Sequence, residues 1–127
     1  MTNGEKKTSQ MPAGLPTEAQ VARYELISPM IDALYGDMQD LSKKKPDGPV
    51  NQTKVRVINR LLSAVRELLK SHASLEFLDL LSEEDLPSSS DCTLILGQYQ
   101  ASMTRFKAQY YGLYDGDYRW LSQENPK

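Results

Sequence analysis

TKVRVINRLLSAVRELLK, residues 53 to 70, decides the fold class of this chain, because it is the longest stretch with a single periodic reading. At ~100° per residue, Val55, Val57, Ile58, Leu61, Leu62, Val65, Leu68 and Leu69 gather on one side of a helix. Arg56, Asn59, Arg60, Ser63, Arg66, Glu67 and Lys70 gather on the other. A helix of this kind buries one face and leaves the other in water. Its outer face is basic.

Upstream, KKKPDGPVNQ over residues 43 to 52 reads as a connection. Three lysines suit the carbonyl end of a preceding helix, Pro46 to Pro49 form a turn, and Asn51 is placed to cap the helix that follows. Before it, Tyr24, Ile27, Ile31, Leu34, Met38 and Leu41 recur at spacings of three or four. Thr17 with Gln20 opens this seam as a capping box. Pro29 removes one backbone hydrogen bond, but the seam keeps its phase across it, which predicts one kinked helix to about Ser42. A short loop between two amphipathic helices implies an antiparallel pair with facing seams.

Downstream, Leu75, Phe77, Leu78, Leu80 and Leu81 predict a short third helix, or a continuation of the second after a bend, among Glu76, Asp79, Glu83, Glu84 and Asp85. Pro87 stops it, and Ser88 with Asp91 forms a second capping box. Cys92, Ile95, Leu96, Tyr99, Met103, Phe106, Tyr110 and Leu113 then mark a long last helix ending near Gly112. Gly97 inside it is either a close helix contact or a tolerated defect. The remaining segment concentrates Tyr111, Tyr114, Tyr118, Arg119 and Trp120 around a turn at Asp115 and Gly116.

The expected architecture is all-α: a compact helical bundle of three long helices plus a short helix, with an antiparallel helical hairpin at its core, a flexible N-terminus and an aromatic C-terminal tail. Residues 1–16, with Pro12, Gly14 and Pro16 among small and polar residues, read as a disordered leader. Residues 17–121 read as a single domain and residues 122–127 as a disordered tail. With 127 residues, 39% hydrophobic and 25% charged, the chain has the make-up of one ordinary globular domain. No apolar run approaches the ~18 residues of a membrane span, and no apolar stretch follows Lys6 and Lys7 as in a secretory signal. One cysteine, Cys92, permits no internal disulfide. A cytoplasmic location follows as the default, which makes Asn51, Gln52, Thr53 a chance match to a glycosylation pattern.

Charge is distributed unevenly. Residues 43 to 70 hold eight basic against two acidic residues, residues 71 to 127 four against nine, and residues 1 to 42 three against six. Basic residues such as Lys43, Lys44, Lys45, Arg56, Arg60 and Lys70 could neutralise phosphates, so a nucleic-acid-binding helical protein is one alternative. The acidic total and the lack of interleaved aromatics favour instead a fold whose parts attract one another, or a surface matched to an acidic protein.

Catalytic chemistry has little to work with. One His and one Cys cannot build a zinc site of the usual nitrogen and sulfur type. The residue three before His72 is Leu69, not the Glu of a bundle di-metal site. Asp115 and Asp117 lack the further ligands of a calcium loop, and no glycine loop cradles phosphate. No metal and no cofactor are expected. A Cys92 and His72 pair is conceivable, although buried cysteine commonly acts as a small apolar residue. Arg66 and His72, separated by five residues near a helix end, resemble the Arg and His motif of the HEPN ribonucleases. The resemblance covers two residues, and Glu67 stands where that family usually has a polar uncharged residue or another histidine. It implies a ribonuclease or toxin acting at a dimer interface, with the guanidinium holding a phosphate and the imidazole moving a proton. Read as residues alone, Arg66 lies on the solvated basic face and His72 caps a helix end.

Tyrosine, tryptophan and arginine are enriched among interface anchors. The expected function is therefore a non-enzymatic protein-protein interaction or accessory module that self-associates or docks onto a partner protein. Tyr111, Tyr114, Tyr118, Arg119 and Trp120, with Arg56 and Arg60 of the basic face, are the expected partner-binding residues. The competing expectation is that the tail folds back and closes the end of the bundle.

Overall fold

The computed structural model describes residues 14–127, and most of them are helical. Three long helices run over Glu18–Lys44 (α1), Gln52–Leu68 (α2) and Ser89–Tyr110 (α3), with a short 3-10 segment at Ala73–Phe77. Each long helix starts where the sequence supplies a cap. Thr17 and Ser88 accept from the amides of Gln20 and Asp91 in complete capping boxes, and Asn51 accepts from Lys54. α1 continues through Pro29 as one helix, because a phased apolar seam on both sides of the proline outweighs one lost hydrogen bond.

α1 is the element against which both other long helices pack, while α2 and α3 touch each other only sparsely. Gln20 and Arg23 near the start of α1 share a cleft with Glu67 and Leu68 near the end of α2, and Leu41 near its end shares one with Thr53. α1 and α2 therefore run antiparallel. The same holds for α1 and α3: Tyr24 stacks on Phe106 at 5.4 Å and Gln100 donates to Asp32 at 2.8 Å. Gly97 lies under the Tyr35 ring, where an added Cβ would sit 3.4 Å from the ring edge; it marks a close but ordinary contact.

Of the apolar face expected on α2, Val55, Ile58, Leu62, Val65, Leu68 and Leu69 are buried. Val57 is 51% exposed, since it sits at the margin of the stripe and borders the groove between α1 and α2. After α2 the chain makes only a single 3-10 turn and then runs extended, burying Leu78 and Leu81 and leaving Phe77 and Leu80 exposed. The two loops at the far end are tied together: the Val50 amide donates to Pro87, the Ser89 amide to Gly48, and the buried Ser89 hydroxyl to the Lys45 carbonyl.

The expectation of a mainly helical chain holds, and the C-terminal aromatic segment adds one small two-stranded sheet to it. The segment forms an antiparallel β-hairpin, Tyr111–Tyr114 (β1) with Asp117–Trp120 (β2). Asp115 and Gly116 take positive φ values of 54° and 87°, as a two-residue hairpin turn requires, and Asp-Gly is the residue pair that adopts it most readily. α3 ends at Tyr110, so Leu113 belongs to a strand instead of the last helical turn.

Residues 14–18 meet the C-terminal segment. Most of the expected leader, residues 1–13, lies outside the described residues. Gly14, Leu15 and Pro16 accept hydrogen bonds from the Tyr110 hydroxyl, the Gln123 side chain and the Gln123 amide at 2.8 to 2.9 Å. The Glu124 carboxylate accepts from the Glu18 amide at 2.9 Å, placing a negative charge at the N-terminus of α1, where the helix dipole favours it. Hydrogen bonding thus extends beyond residue 121, with Ser122 buried.

Candidate interaction surfaces

In the hairpin register Tyr111 faces Trp120, Gly112 faces Arg119, Leu113 faces Tyr118 and Tyr114 faces Asp117. Alternation puts Tyr111, Leu113, Tyr118 and Trp120 on one face. The inner end of that face is core. The Trp120 ring lies 5.1 Å from Tyr24 edge-on, 6.0 Å from Phe106 and 5.5 Å from Tyr111. The outer end is open: Leu113 is 59% and Tyr118 71% exposed, directly opposite each other. Tyr111 joins the two ends, stacked on Tyr118 at 6.3 Å with the Lys107 ammonium 4.8 Å from its ring. On the other face Arg119 covers the Tyr114 ring at 5.5 Å, and one guanidinium nitrogen is buried without a hydrogen-bond partner. The structure thus divides the expected partner-binding residues: Trp120 closes the core, while Tyr118 stands in solvent.

Part of the basic face of α2 is occupied by the chain itself. The segment from Leu78 to Glu83 crosses it in extended form, and four α2 side chains grip it. Arg66 donates to the Leu78 carbonyl. Asn59 makes a pair of bonds with the Leu81 backbone, donating to its carbonyl and accepting from its amide, both at 2.8 Å. The Gln52 amide donates to the Glu83 carbonyl at 3.2 Å, and Arg56 pairs with the Glu83 carboxylate at 2.9 Å. From the α3 side the Tyr99 hydroxyl donates to the Asp79 carbonyl at 2.8 Å. Burial pushes the Tyr99 hydroxyl upward in pKa, with the Arg66 guanidinium beside it acting the other way. Arg60 is exposed and makes no ion pair among the described residues.

Arg66 and His72 are committed to different partners. His72 Nε2 lies 2.9 Å from the Tyr110 hydroxyl and its ring packs against Phe106 and Tyr110, whereas Arg66 is bonded to Leu78. Cys92 lies 14 residues before Phe106, about 21 Å along α3 at ~1.5 Å per residue, so no Cys92 and His72 pair forms. Burial, with Asp91 alongside, pushes its thiol up to about 11. Among the described residues no three His, Cys, Asp or Glu side chains converge as metal ligands, and no helix is long and apolar enough to cross a membrane.

Two residues differ from their sequence expectation. Leu113 fits the helical seam of α3 by spacing but lies in β1, and Asp-Gly between short aromatic runs is the signal for that hairpin. Asn59 falls on the polar face of α2 with no local signal for its bonds to Leu81. Comparison of the chain with protein-family models, curated proteins and solved structures finds no match.

Proposed function

We propose that this chain is a non-enzymatic cytoplasmic interaction module, with its helices as a bundle scaffold, that self-associates through the outer end of its C-terminal hairpin. The observation that carries this reading is the exposed Leu113 and Tyr118 pair on a hairpin whose inner end is fixed in the core by Trp120. A two-stranded sheet is marginal by itself and offers open backbone edges. Two such edges related by a two-fold axis pair in antiparallel fashion and shelter the apolar pair of both copies. Ordering costs little, because the hairpin is anchored before it binds.

Light scattering coupled to size-exclusion chromatography tests this across a concentration series. The full chain is expected to run as a dimer, and Leu113→Ser with Tyr118→Ser as a monomer with unchanged circular dichroism. A full chain that stays monomeric at high micromolar concentration overturns the proposal.

A further inference from the structure

Of the extended segment that crosses α2, only one edge is in use. Asn59 holds both backbone groups of Leu81, and Gln52 holds the Glu83 carbonyl. Neighbouring residues of an extended chain present their backbone groups to opposite edges. Those of Leu80 and Ser82 therefore face away from α2. Neither residue's amide or carbonyl has a hydrogen-bond partner among the described residues, and both residues are exposed. Two donors and two acceptors stand in water along a strand whose other edge is fixed in the fold. Such an edge is a template for pairing with another extended chain.

The same residues border a cleft of about 410 Å³ to which α2 contributes nothing. Its apolar lining comes from Leu80, from Leu86 in the loop before α3, and from Leu94 and Ile95 on α3. Leu80, Leu86 and Leu94 all remain exposed around this one depression. Asp85 and Asp91 line it too, and no lysine, arginine or histidine does. Glu83 is answered by Arg56, whereas Glu84, Asp85 and Asp91 make no ion pair among the described residues. Asp91 accepts from the Ser88 amide at 3.4 Å as part of the α3 cap. An occupant that satisfies this place must supply backbone pairing, apolar side chains and positive charge together.

We propose that this cleft docks an extended segment of a partner protein in which apolar residues alternate with lysine or arginine, added as a strand beside residues 80–82. Backbone bonds to Leu80 and Ser82 set its register. Apolar side chains on one face of the added strand fill the space between Leu80, Leu86 and Leu94, and the long basic side chains bend over the rim toward Glu84, Asp85 and Asp91. The same carboxylates repel an acidic segment or a nucleic acid. Asn59 and Gln52 already hold the receiving strand, so the cost of ordering falls on the partner alone. The surface is separate from the exposed end of the hairpin: Leu94 and Tyr110, where the hairpin begins, lie ~24 Å apart along α3 at ~1.5 Å per residue. Docking here therefore does not depend on self-association there.

The full chain is titrated into a fluorescein-labelled heptapeptide that alternates leucine with arginine, and binding is read by fluorescence polarisation. Saturable binding is expected, weakening as salt rises. The same peptide with glutamate in place of arginine should not bind. Leu94→Ser should weaken binding about tenfold, the scale of one leucine withdrawn from water, and Asp85→Asn about threefold, that of one exposed charge pair. Both residues are exposed, so their replacement leaves the fold intact. Leu26→Ser, an exposed leucine of α1, should leave the affinity unchanged. Two further peptides, methylated on the amides of odd or of even residues, read the pairing. One should bind and the other should not, since only alternate amides face the receiving strand. Absence of saturation up to ~1 mM, equal binding of the glutamate peptide, equal affinity in Leu94→Ser, or equal behaviour of the two methylated peptides overturns the proposal. A lower oligomeric state of Leu94→Ser without peptide would make the occupant a second copy of the chain, and overturns it as well.

Discussion

Replacing Asn59 by alanine should destabilise the fold far more than removing the ion pair beside it. Asn59 holds both backbone groups of Leu81 at 2.8 Å, and the Leu81 side chain is 5% exposed within the core. Truncation leaves one amide and one carbonyl without partners, at a cost of ~1–3 kcal/mol for each that is sealed from water. Asn59 is itself half-buried, so water reaches the site in part and the sum falls at about 2–3 kcal/mol. Arg56 and Glu83 sit with side chains 61% and 43% exposed, where an ion pair contributes about 0–0.5 kcal/mol. For a domain near this size ~1 kcal/mol moves the melting temperature by ~4 °C or more. Asn59→Ala is therefore expected to melt about 10 °C lower, and Arg56→Gln within about 2 °C of the parent. Thermal unfolding followed by circular dichroism measures both, and amide exchange should localise the Asn59→Ala loss to residues 78–83. If Arg56→Gln cost as much as Asn59→Ala, or if 0.5 M salt lowered the melting point of the parent chain, charge attraction would be holding the segment and the hydrogen-bond account would fail.

The hairpin should split by depth: Trp120→Ala removes contacts with Tyr24 and Phe106 and should cost about 3 kcal/mol or more, whereas Tyr118→Ala, at 71% exposure, should change monomer stability by less than ~0.5 kcal/mol in denaturant titrations. His72 should impose a pH dependence. Its pKa is depressed in the folded state by burial and then by Arg105, so below about pH 6.5 the unfolded chain binds the proton more readily. Its contribution is present in full above that value and is lost as pH falls through the folded pKa, a slope that should vanish in His72→Gln when midpoints are compared from pH 5 to 8. Cys92, fully buried with its thiol pushed up to about 11, should resist a thiol reagent at pH 8 in the native protein and react at once in denaturant; rapid native labelling would contradict its burial.

Most of the helical framework was legible in the sequence because it rests on local physics. Thr17, Asn51 and Ser88 cap as their positions dictate, since a side-chain oxygen two or three residues before free amides needs no tertiary help. Continuity through Pro29 followed from the phase of the apolar seam. The turn at Asp115 and Gly116 is legible in the sequence, but the strands beside it are not, because Tyr110 and Leu113 continue the spacing of α3. The candidate surfaces were less legible. Arg56, Arg60 and Arg66 look alike on a helical wheel, yet one pairs with Glu83, one holds the Leu78 carbonyl and one stands free of ion pairs among the described residues.

The sequence by itself determined three capped helices, a buried face for α2 and the placement of charge along the chain, because periodicity and capping act over a few residues. Only the tertiary structure decided that α1 is the element both other helices pack against, and that the basic face of α2 is gripped onto residues 78–83. It alone set Trp120 in the core with Tyr118 outside, and turned His72 toward Tyr110 beside Arg105 instead of toward Arg66. Those outcomes depend on which groups distant in sequence arrive at the same place, and a polar side chain takes whichever backbone partner lies within ~3 Å when burial removes water as the alternative.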